Sequence, residues 1–476
     1  MKRVAFVAMV CVLGLLCAQT SVAKPGPRVL AFTHVTVIDA TGAPARPDST
    51  VVITGNRITA LGRTGRVRVP NDATTIDASG KFMIPGLWDM HVHFTETERT
   101  FPLFVANGVL GVRNTGGDAD QLFRWRAEVA AGTLVGPRIV ACGPIVDGPK
   151  PVAHGPTIGV GTVAEARRIV DDFKKRGADF IKVYDTLPRD AYFAVIDEAR
   201  KVHIPVAGHV PLSVSSLEAS DAGQRSIEHP GTILEGGSTV EDELRAAEPA
   251  PIPEGDLTEI PRRIAARGER MLATYDEARA SILFAHFRRN HTWQVPTLVT
   301  KRALAFVDDM SRQPDDRLKY VPAATIDAWR PASNFLSRYR TEGYIDYRKR
   351  LYQKELELTG TMRRAGVGFL AGTDLSVGYI FAGFSLHDEL ELFVKAGFTP
   401  MEALQTATRN PAEYLGELSK SGTVERGKLA NLVLLDANPL EDITNTRRVD
   451  SVVLNGRYFS HEELQRMLAS AEAAAK

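Results

Sequence analysis

The chain has 476 residues, of which 44% are hydrophobic and 24% are charged, proportions close to the average for globular proteins. This composition excludes a disordered or collagen-like chain. The formal net charge of +1 removes the electrostatic argument for a nucleic-acid-binding protein or a general membrane-surface binder.

The first 23 residues have the features of a secretory signal peptide. A basic start is followed by the apolar run Val4 to Leu16, which is too short to span a bilayer as a helix. Ser21-Val22-Ala23 then gives the small-residue pattern of a cleavage site. We therefore expect cleavage near Ala23 and export to the periplasm or the medium. A lipoprotein signal at Cys17 is the alternative, but the preceding Leu16 is bulkier than such a signal requires.

Residues 24–84 and 418–460 are predicted to form one small β domain. Val29 to Ile38 and Thr50 to Ile58 largely alternate apolar and polar residues between turn-forming residues, which is typical of strands. A similar pattern returns near the other end, in residues 431–436 and 451–456. Because two β-rich ends flank a different middle, we expect a β-sandwich assembled from both termini. Residues 461–476 are predicted to form a helical tail.

The middle of the chain, residues 85–417, alternates short apolar strands with helical stretches. The strand candidates lie at residues 86–94, 108–114, 138–143, 180–184, 205–210, 226–229, 293–299 and 367–374. Eight β/α units predict an α/β fold, a (β/α)8 TIM-type barrel. A doubly wound open sheet is the alternative, but no glycine-rich phosphate loop opens any of these units.

The connections before and after the seventh strand candidate are too long for plain β/α units. We predict helical insertions at about residues 232–292 and 301–365. Insertions after barrel strands emerge at the C-terminal face, where active sites are built. We interpret the second insertion as a lid, and the alternative is a solvated helical hairpin that only supports the barrel.

The most informative motif is Asp89-Met90-His91-Val92-His93, at the end of the first barrel strand. Strand side chains alternate, so His91 and His93 project on the same face. In a barrel that shared face points inward at the catalytic end. Two imidazoles so placed are natural ligands for a metal such as zinc.

Further polar side chains lie at or near the C-terminal ends of other strand candidates. They are Lys182, His209, His229 and Asp374. A single buried His or Asp is usually a hydrogen-bonded structural group. Together with the HxH pair, however, these residues would place six polar side chains around one barrel mouth, and burying that much polarity without a shared function would be costly. The sequence therefore predicts a metal site there.

These residues, in this order, resemble the amidohydrolase superfamily. The segment Gly427-Lys428-Leu429-Ala430-Asn431-Leu432-Val433-Leu434 also resembles the strand with which its members close their β-sandwich. The resemblance covers about residues 28–460 and is closest to the branch with imidazolonepropionase, prolidase-like dipeptidases and ochratoxin-type amide hydrolases. Two departures are Asn431 and Asn114, at positions where relatives commonly carry Asp.

The resemblance implies a centre with two divalent metal ions, of which zinc is the expected one and manganese, cobalt or iron are alternatives. His91, His93 and Asp374 would bind the more buried ion. His209 and His229 would bind the more exposed ion. Lys182, carboxylated on its side-chain nitrogen, would bridge both. Imidazolonepropionase is mononuclear and lacks this lysine. The alternative is that Lys182 forms a buried salt bridge in a one-metal site.

The implied function is an exported amidohydrolase that uses a metal-bridging hydroxide to hydrolyse an amide C–N bond in a dipeptide or an N-acyl amino acid. Asp374 would take the proton from the hydroxide and deliver it to the leaving amine, and His229 would help to hold the oxyanion. Tyr184 and His154 are candidate substrate contacts. Lactone, phosphoester or cyclic-amide hydrolysis at the same site and a non-catalytic binding protein are the alternatives.

The expected partner is therefore a small-molecule amide or peptide, with no nucleic acid and no stable membrane insertion. A homo-oligomer is compatible with the sequence. Cys142, in the apolar run from Arg138 to Gly143, is predicted to be a buried strand residue rather than a nucleophile, because no His or base pattern surrounds it.

Overall fold

The computed structural model describes residues 29–153, 155–246, 259–331 and 341–476. The predicted signal peptide lies outside these ranges and stays a prediction. In the part of the chain that the structure describes, no helix combines the length and the apolar character needed to cross a bilayer.

The described strands are, in chain order, β1 (Val29–Val37), β2 (Arg46–Thr54), β3 (Arg57–Arg63), β4 (Thr74–Asp77), β5 (Phe82–Pro85), β6 (Leu87–Val92), β7 (Val109–Asn114), β8 (Arg138–Ala141), β9 (Ile145–Asp147), β10 (Thr157–Gly159), β11 (Ile181–Val183), β12 (Val206–Gly208), β13 (Ser226–Glu228), β14 (Trp293–Val295), β15 (Leu432–Leu435), β16 (Val449–Leu454) and β17 (Arg457–Phe459).

The described helices are α1 (Thr100–Ala106), α2 (Ala119–Ala131), α3 (Val163–Arg176), α4 (Arg189–Lys201), α5 (Ser216–Ala222), α6 (Gly231–Gly236), α7 (Glu241–Ala246), α8 (Glu259–Ala273), α9 (Glu277–Asn290), α10 (Leu298–Met310), α11 (Ala323–Trp329), α12 (Glu342–Arg364), α13 (Phe384–Lys395), α14 (Pro400–Thr406), α15 (Arg409–Tyr414) and α16 (His461–Ala475). Short 3₁₀ helices lie at Asp316–Tyr320 and Ile443–Arg447.

Parallel strands form a barrel at the centre of the molecule. β6, β7 and β8 pair in one sheet, and a second sheet has the order β10-β9-β11-β12-β13-β14. The backbone after Val367 closes the ring as the eighth strand, since Met90 N donates to Ala371 O at 2.8 Å and Leu370 N donates to Gln294 O at 2.9 Å. The predicted TIM-type barrel is confirmed.

Local turns interrupt two of the predicted strands. The candidate at 293–299 stops at Val295, because Thr297 takes a left-handed φ of 49° and α10 begins at Leu298. The candidate at 50–58 is interrupted by a hairpin turn at Gly55, whose φ is 61°, and this turn separates β2 from β3. In both places a local turn breaks an apolar run that continues in the sequence.

The sheet outside the barrel is built from both ends of the chain. Its order is β17-β16-β15-β5-β1-β2-β3, with β4 also paired to β1. β5 and β15 pair antiparallel, with Met83 opposite Leu434, so the first and last parts of the chain share one hydrogen-bonded ladder. Phe32, Ile53 and Leu432 belong to the hydrophobic cluster that this sheet buries. The predicted β domain from both chain ends is confirmed.

Helix boundaries follow local capping chemistry. α3 begins after Thr162, whose hydroxyl accepts from the backbone N–H of Glu165 while the Glu165 carboxylate accepts from the N–H of Thr162. This reciprocal arrangement satisfies two backbone donors that the helix itself leaves free. The helix ends at Gly177, which adopts the left-handed conformation with φ of 85°, as helix C-termini often require.

Helices make up most of the described parts of the long connections on both sides of β14. α6 to α9 lie between β13 and β14, and α10 to α12 follow β14. α12 packs against both α10 and α8, so the two insertions support each other. The interpretation of the second insertion as a lid stays a prediction.

Burial makes His387 on α13 sensitive to acid. Its Nε2 lies 3.1 Å from Asn107 O and its Nδ1 lies 3.0 Å from Thr446 Oγ1. Desolvation lowers the pKa of His387 from 6.5 to about 4. As the pH falls below 6.5, the unfolded chain therefore takes up a proton at this residue before the folded chain does. The stability that His387 contributes is full above about pH 6.5 and is lost as the pH falls toward about 4.

We expect His387→Gln to reduce the pH dependence of stability. Acidification from pH 7.5 to pH 5 should lower the midpoint of urea unfolding less in this variant than in the wild type, where the residue accounts for at most about 2 kcal/mol over this interval. The exposed His461→Gln is the matched control. An unchanged pH dependence in His387→Gln would contradict this assignment.

Candidate metal centre

The predicted ligands converge at the C-terminal ends of the barrel strands. His91 Nε2 lies 3.3 Å from His93 Nε2 and 3.4 Å from Asp374 Oδ1. His229 Nε2 lies 3.8 Å from Asp374 Oδ2, and the His209 ring lies 4.9 Å from the His229 ring, centroid to centroid. One ligand atom from each of His91, His229 and Asp374 lies within 4.8 Å of the others. These groups can therefore share a metal ion.

Two of these residues have strained backbone conformations that direct their side chains toward the candidate centre. His229 and Asp374 both adopt left-handed φ values, 65° and 59°, which are uncommon for residues with a side chain. Both are held by ladder hydrogen bonds, from His229 N to Val295 O at 3.0 Å and from Asp374 N to His91 O at 2.7 Å. Strain of this kind persists where the surrounding structure fixes it and is frequent at functional sites.

Two histidines are oriented by side chains that sequence reasoning missed. His209 Nδ1 lies 2.7 Å from Asp185 Oδ1, and His229 Nδ1 lies 2.7 Å from Thr297 Oγ1. A partner on Nδ1 fixes the ring and leaves Nε2 available for a metal, which is the usual second layer of a metal site. Asp185 follows β11 and Thr297 precedes α10, so both come from the loops at the barrel mouth.

The HxH pair has a different set of partners. His93 Nδ1 lies 3.3 Å from Gly116 O, and the turn at Gly116 is held by its N–H, which donates to Asn114 Oδ1 at 3.1 Å. His91 Nδ1 is buried without a hydrogen-bond partner, and Glu228 Oε2 is 3.6 Å away. Asn114, one of the two departures from the family pattern, thus supports the turn beside a predicted ligand.

Burial keeps the imidazoles neutral. Desolvation lowers the pKa of His93 to about 4 and that of His209 below its usual value of 6.5. The pKa values of His91 and His229 are lowered well below 6.5, again chiefly by desolvation. The neutral ring is the form that binds metal. The donor set therefore fits one or more divalent metal ions at neutral pH.

Lys182 is buried and contacts the carboxylate of Glu228 through its ammonium group. Glu228 is also held from the other side, because Arg113 Nη2 donates to Glu228 Oε1 at 2.9 Å. Arg113 is fully buried and donates further to Ser226 Oγ at 2.9 Å and to the Tyr414 hydroxyl at 3.0 Å. Desolvation lowers the pKa of Lys182 to about 7.

Of the two candidate substrate contacts, Tyr184 and His154, the structure describes Tyr184. Tyr184 stacks on His209, with ring centroids 4.0 Å apart and planes at 29°, so its ring forms part of the wall of the centre. Its role in binding substrate stays a prediction. His154 lies outside the described residues, and its role is likewise a prediction.

Cys142 is 1% exposed, and desolvation raises the pKa of its thiol to about 12. A thiol that stays protonated is a poor nucleophile. The prediction that Cys142 is buried and not a nucleophile agrees with this environment.

Comparisons with known proteins agree with the geometry. The model of the amidohydrolase family matches residues 82–458, well over half of the chain. The protein belongs to the amidohydrolase family. The protein is therefore a hydrolase of this family.

Several solved structures have the same fold. A bottromycin amidohydrolase is 23% identical, with a TM-score of 0.71, and the match covers 94% of this chain and 91% of that one. A Xaa-Pro dipeptidase with bound methionine in its active site is 22% identical, with a TM-score of 0.66 and coverage of 91% and 100%. The A. niger ochratoxinase is 17% identical, with a TM-score of 0.64 and coverage of 92% and 96%. At these identities the likeness shows the fold.

Curated sequences match over shorter stretches. The adenine deaminase of Rubrobacter xylanophilus is 32% identical over 94 residues, which cover 20% of this chain and 15% of that protein. The matches to curated relatives thus cover well under two thirds of those proteins' length.

We expect Asp185→Ala to weaken metal binding while the fold is kept. Without this carboxylate the His209 ring loses the partner that fixes its orientation, and losses of this kind cost about 10- to 100-fold in metal affinity. Zinc affinity would be measured by competition with a chromophoric chelator. Asp190→Ala, an exposed carboxylate in the first turn of α4, is the matched control. Equal zinc affinity in Asp185→Ala and the wild type would contradict the assignment.

Proposed function

We propose that this amidohydrolase-family protein is a metal-dependent hydrolase that cleaves an amide bond in a dipeptide or an N-acyl amino acid. The observation that carries the proposal is the group His91, His229 and Asp374, whose ligand atoms converge within 4.8 Å. Neutral imidazoles with a carboxylate are a ligand set that suits zinc. The Xaa-Pro dipeptidase among the structural neighbours supports the choice of substrate class.

We assign the ligands in two sets. His91, His93 and Asp374 would hold the more buried ion, in keeping with the 1% exposure of the His91 side chain. His209 and His229 would hold the more exposed ion. Asp374 supports this division because its Oδ1 faces His91 at 3.4 Å and its Oδ2 faces His229 at 3.8 Å, so it stands between the two sets.

In this proposal Lys182, as a carbamate, would be a ligand that both ions share. Carbon dioxide reacts with the neutral amine, forming an N–C bond and releasing a proton, and a pKa of about 7 provides neutral amine at physiological pH. A plain ammonium would repel two cations, whereas a carbamate offers an oxygen to each.

Arg113 keeps the charge of Glu228 balanced when Lys182 becomes a carbamate. When Lys182 leaves Glu228, the ion pair with Arg113 at 2.9 Å remains and keeps the buried carboxylate balanced. Glu228 Oε2 can then accept a hydrogen bond from His91 Nδ1, 3.6 Å away, which has no partner at present.

When bound, the metal ions lower the pKa of water so that hydroxide is available near neutral pH, and they polarise the scissile carbonyl. Asp374 accepts the proton that is released and delivers it to the leaving amine, first as general base and then as general acid. His229 would help to hold the oxyanion through the more exposed ion that it binds, because Thr297 occupies its Nδ1. Tyr184, stacked on His209, restricts the space on the same side of the centre.

A one-metal site is the second candidate, because Lys182 contacts Glu228 directly. In that arrangement Arg113, Glu228 and Lys182 form a permanent buried charge network, and the lysine is structural. The substrate class would then move toward cyclic amides. Lactones and phosphoesters are the other bonds that two-metal chemistry serves, so a substrate panel has to include them.

Export is a separate proposal. It rests on the leader pattern of residues 1–23 alone, with cleavage near Ala23.

We expect Asp374→Asn to retain the fold and to lose most turnover, by about 10²- to 10⁴-fold, because the amide cannot relay the proton. The enzyme would be loaded with zinc and bicarbonate and assayed for kcat on dipeptides, N-acyl amino acids, cyclic amides, lactones and phosphoesters, with circular dichroism to verify folding. Asp190→Asn is the control. Near-normal kcat in Asp374→Asn would remove this residue from the mechanism, and turnover of the non-amide substrates alone would contradict the proposed bond.

A further inference from the structure

Two insertion helices place unpaired charges beside the candidate metal centre, with Glu355 buried and Lys301 and Arg348 partly buried. Lys301 lies in the first turns of α10, and Arg348 and Glu355 lie on one face of α12, seven positions apart. Glu355 is 2% exposed, its Oε2 has no hydrogen-bond partner, and neither has Nε of Arg348. Among the described residues, the Lys301 ammonium also makes no ion pair or hydrogen bond. Buried charges are ordinarily paired, because desolvation is costly.

These side chains influence one another without direct pairing. Desolvation lowers the pKa of Lys301, the Glu355 carboxylate opposes that effect and the Arg348 cation adds to it. Desolvation raises the pKa of Glu355, and both cations oppose that effect. Within this group of three, two cations and one carboxylate leave one net positive charge, and the Asp374 and Asp185 carboxylates of the candidate centre also act on Lys301. A ligand with one negative charge would balance it.

The backbone of α10 fixes Lys301 next to the metal centre. Lys301 N donates to Thr297 O at 3.1 Å, and Thr297 Oγ1 is the group 2.7 Å from His229 Nδ1. The Lys301 charge is felt inside the centre, since it is the second-largest cause of the lowered pKa of His229. Asp374 in turn raises the pKa of Lys301. Lys301 therefore lies near the predicted ligands without being one of them.

This position matches the chemistry of the proposed substrates. In a dipeptide or an N-acyl amino acid, only the amide nitrogen and one carbon separate the scissile carbonyl from the terminal carboxylate. A cation that binds the carboxylate must therefore stand beside the metal ligands. An ammonium or guanidinium group forms strong charge-assisted hydrogen bonds with a carboxylate.

We propose that Lys301, supported by Arg348, binds the free carboxylate of the leaving amino acid. When no substrate is bound, the nearby Glu355 carboxylate offsets part of the charge of the two cations. The inference rests on the proposed function and narrows it: the enzyme removes an amino acid with a free carboxylate and discriminates against amides that lack one.

The kinetic test compares the best dipeptide or N-acyl amino acid from the panel with its C-terminal carboxamide. In Lys301→Met, kcat/KM for the carboxylate should fall about 10- to 100-fold, mainly through KM, because a charged hydrogen bond is lost. The value for the carboxamide should change little. Arg350→Met, an exposed side chain on α12 that pairs with Glu269, is the matched control and should keep the wild-type preference.

A second variant covers the case in which Lys301→Met fails to fold. Lys301→Met combined with Glu355→Gln removes the cation and the buried carboxylate together, so no uncompensated anion remains. It should show the same loss of preference for the carboxylate substrate. Wild-type enzyme that hydrolyses acid and carboxamide equally well would overturn the inference while leaving the proposed function intact.

A binding measurement separates the inference from turnover. Zinc-loaded Asp374→Asn would be titrated calorimetrically with N-acetyl-L-leucine and with N-acetyl-L-leucinamide. Tighter binding of the acid than of the amide, lost when Lys301→Met is added, supports the carboxylate site. If that result is obtained and no amide is hydrolysed, only the proposed function fails. Equal affinity for the two compounds, or no binding of either, overturns the carboxylate site.

Discussion

The proposed metal centre depends on one buried carboxylate. Glu228 lies between Arg113, which reaches it from β7, and Lys182, which reaches it from β11. Because Arg113 also bonds Ser226 and Tyr414, the same charge network joins the strands of the barrel to α15. Removing one partner of such a buried pair typically costs about 3–5 kcal/mol. The network that stabilises the barrel therefore also decides whether Lys182 is free to become a metal ligand.

Much of the site follows from strand periodicity and barrel geometry. The alternation in β6 predicts that His91 and His93 share a face, and the rule that active sites lie at the C-terminal ends of barrel strands predicts that Asp374 meets them. The structure places Asp374 within 3.4 Å of His91 and 3.7 Å of His93. The β domain was predictable because its strands alternate apolar and polar residues, and the barrel was predictable because short apolar strands alternate with helical stretches.

The groups that support the ligands were not predictable in this way. Alternation along a strand places neighbouring residues on opposite faces, so the pattern does not predict that Glu228 and His229 both face the centre. The left-handed φ of His229 breaks the alternation and lets both side chains approach the centre. Thr297 comes from a turn that interrupts an apolar run. Lys301 and Arg348 lie in charged insertions, and such segments are usually solvated. The packing of α10 against α12 leaves these two side chains only partly exposed.

The central claim is that Lys182 is a metal ligand rather than a structural cation. It is tested most directly by elemental analysis of metal per chain in purified protein loaded with zinc and bicarbonate, beside Lys182→Ala. The account predicts about two metals per chain in the wild type, as in other two-metal hydrolases, and a marked loss in the variant. One metal in both proteins would contradict it and would leave Lys182 as the permanent partner of Glu228.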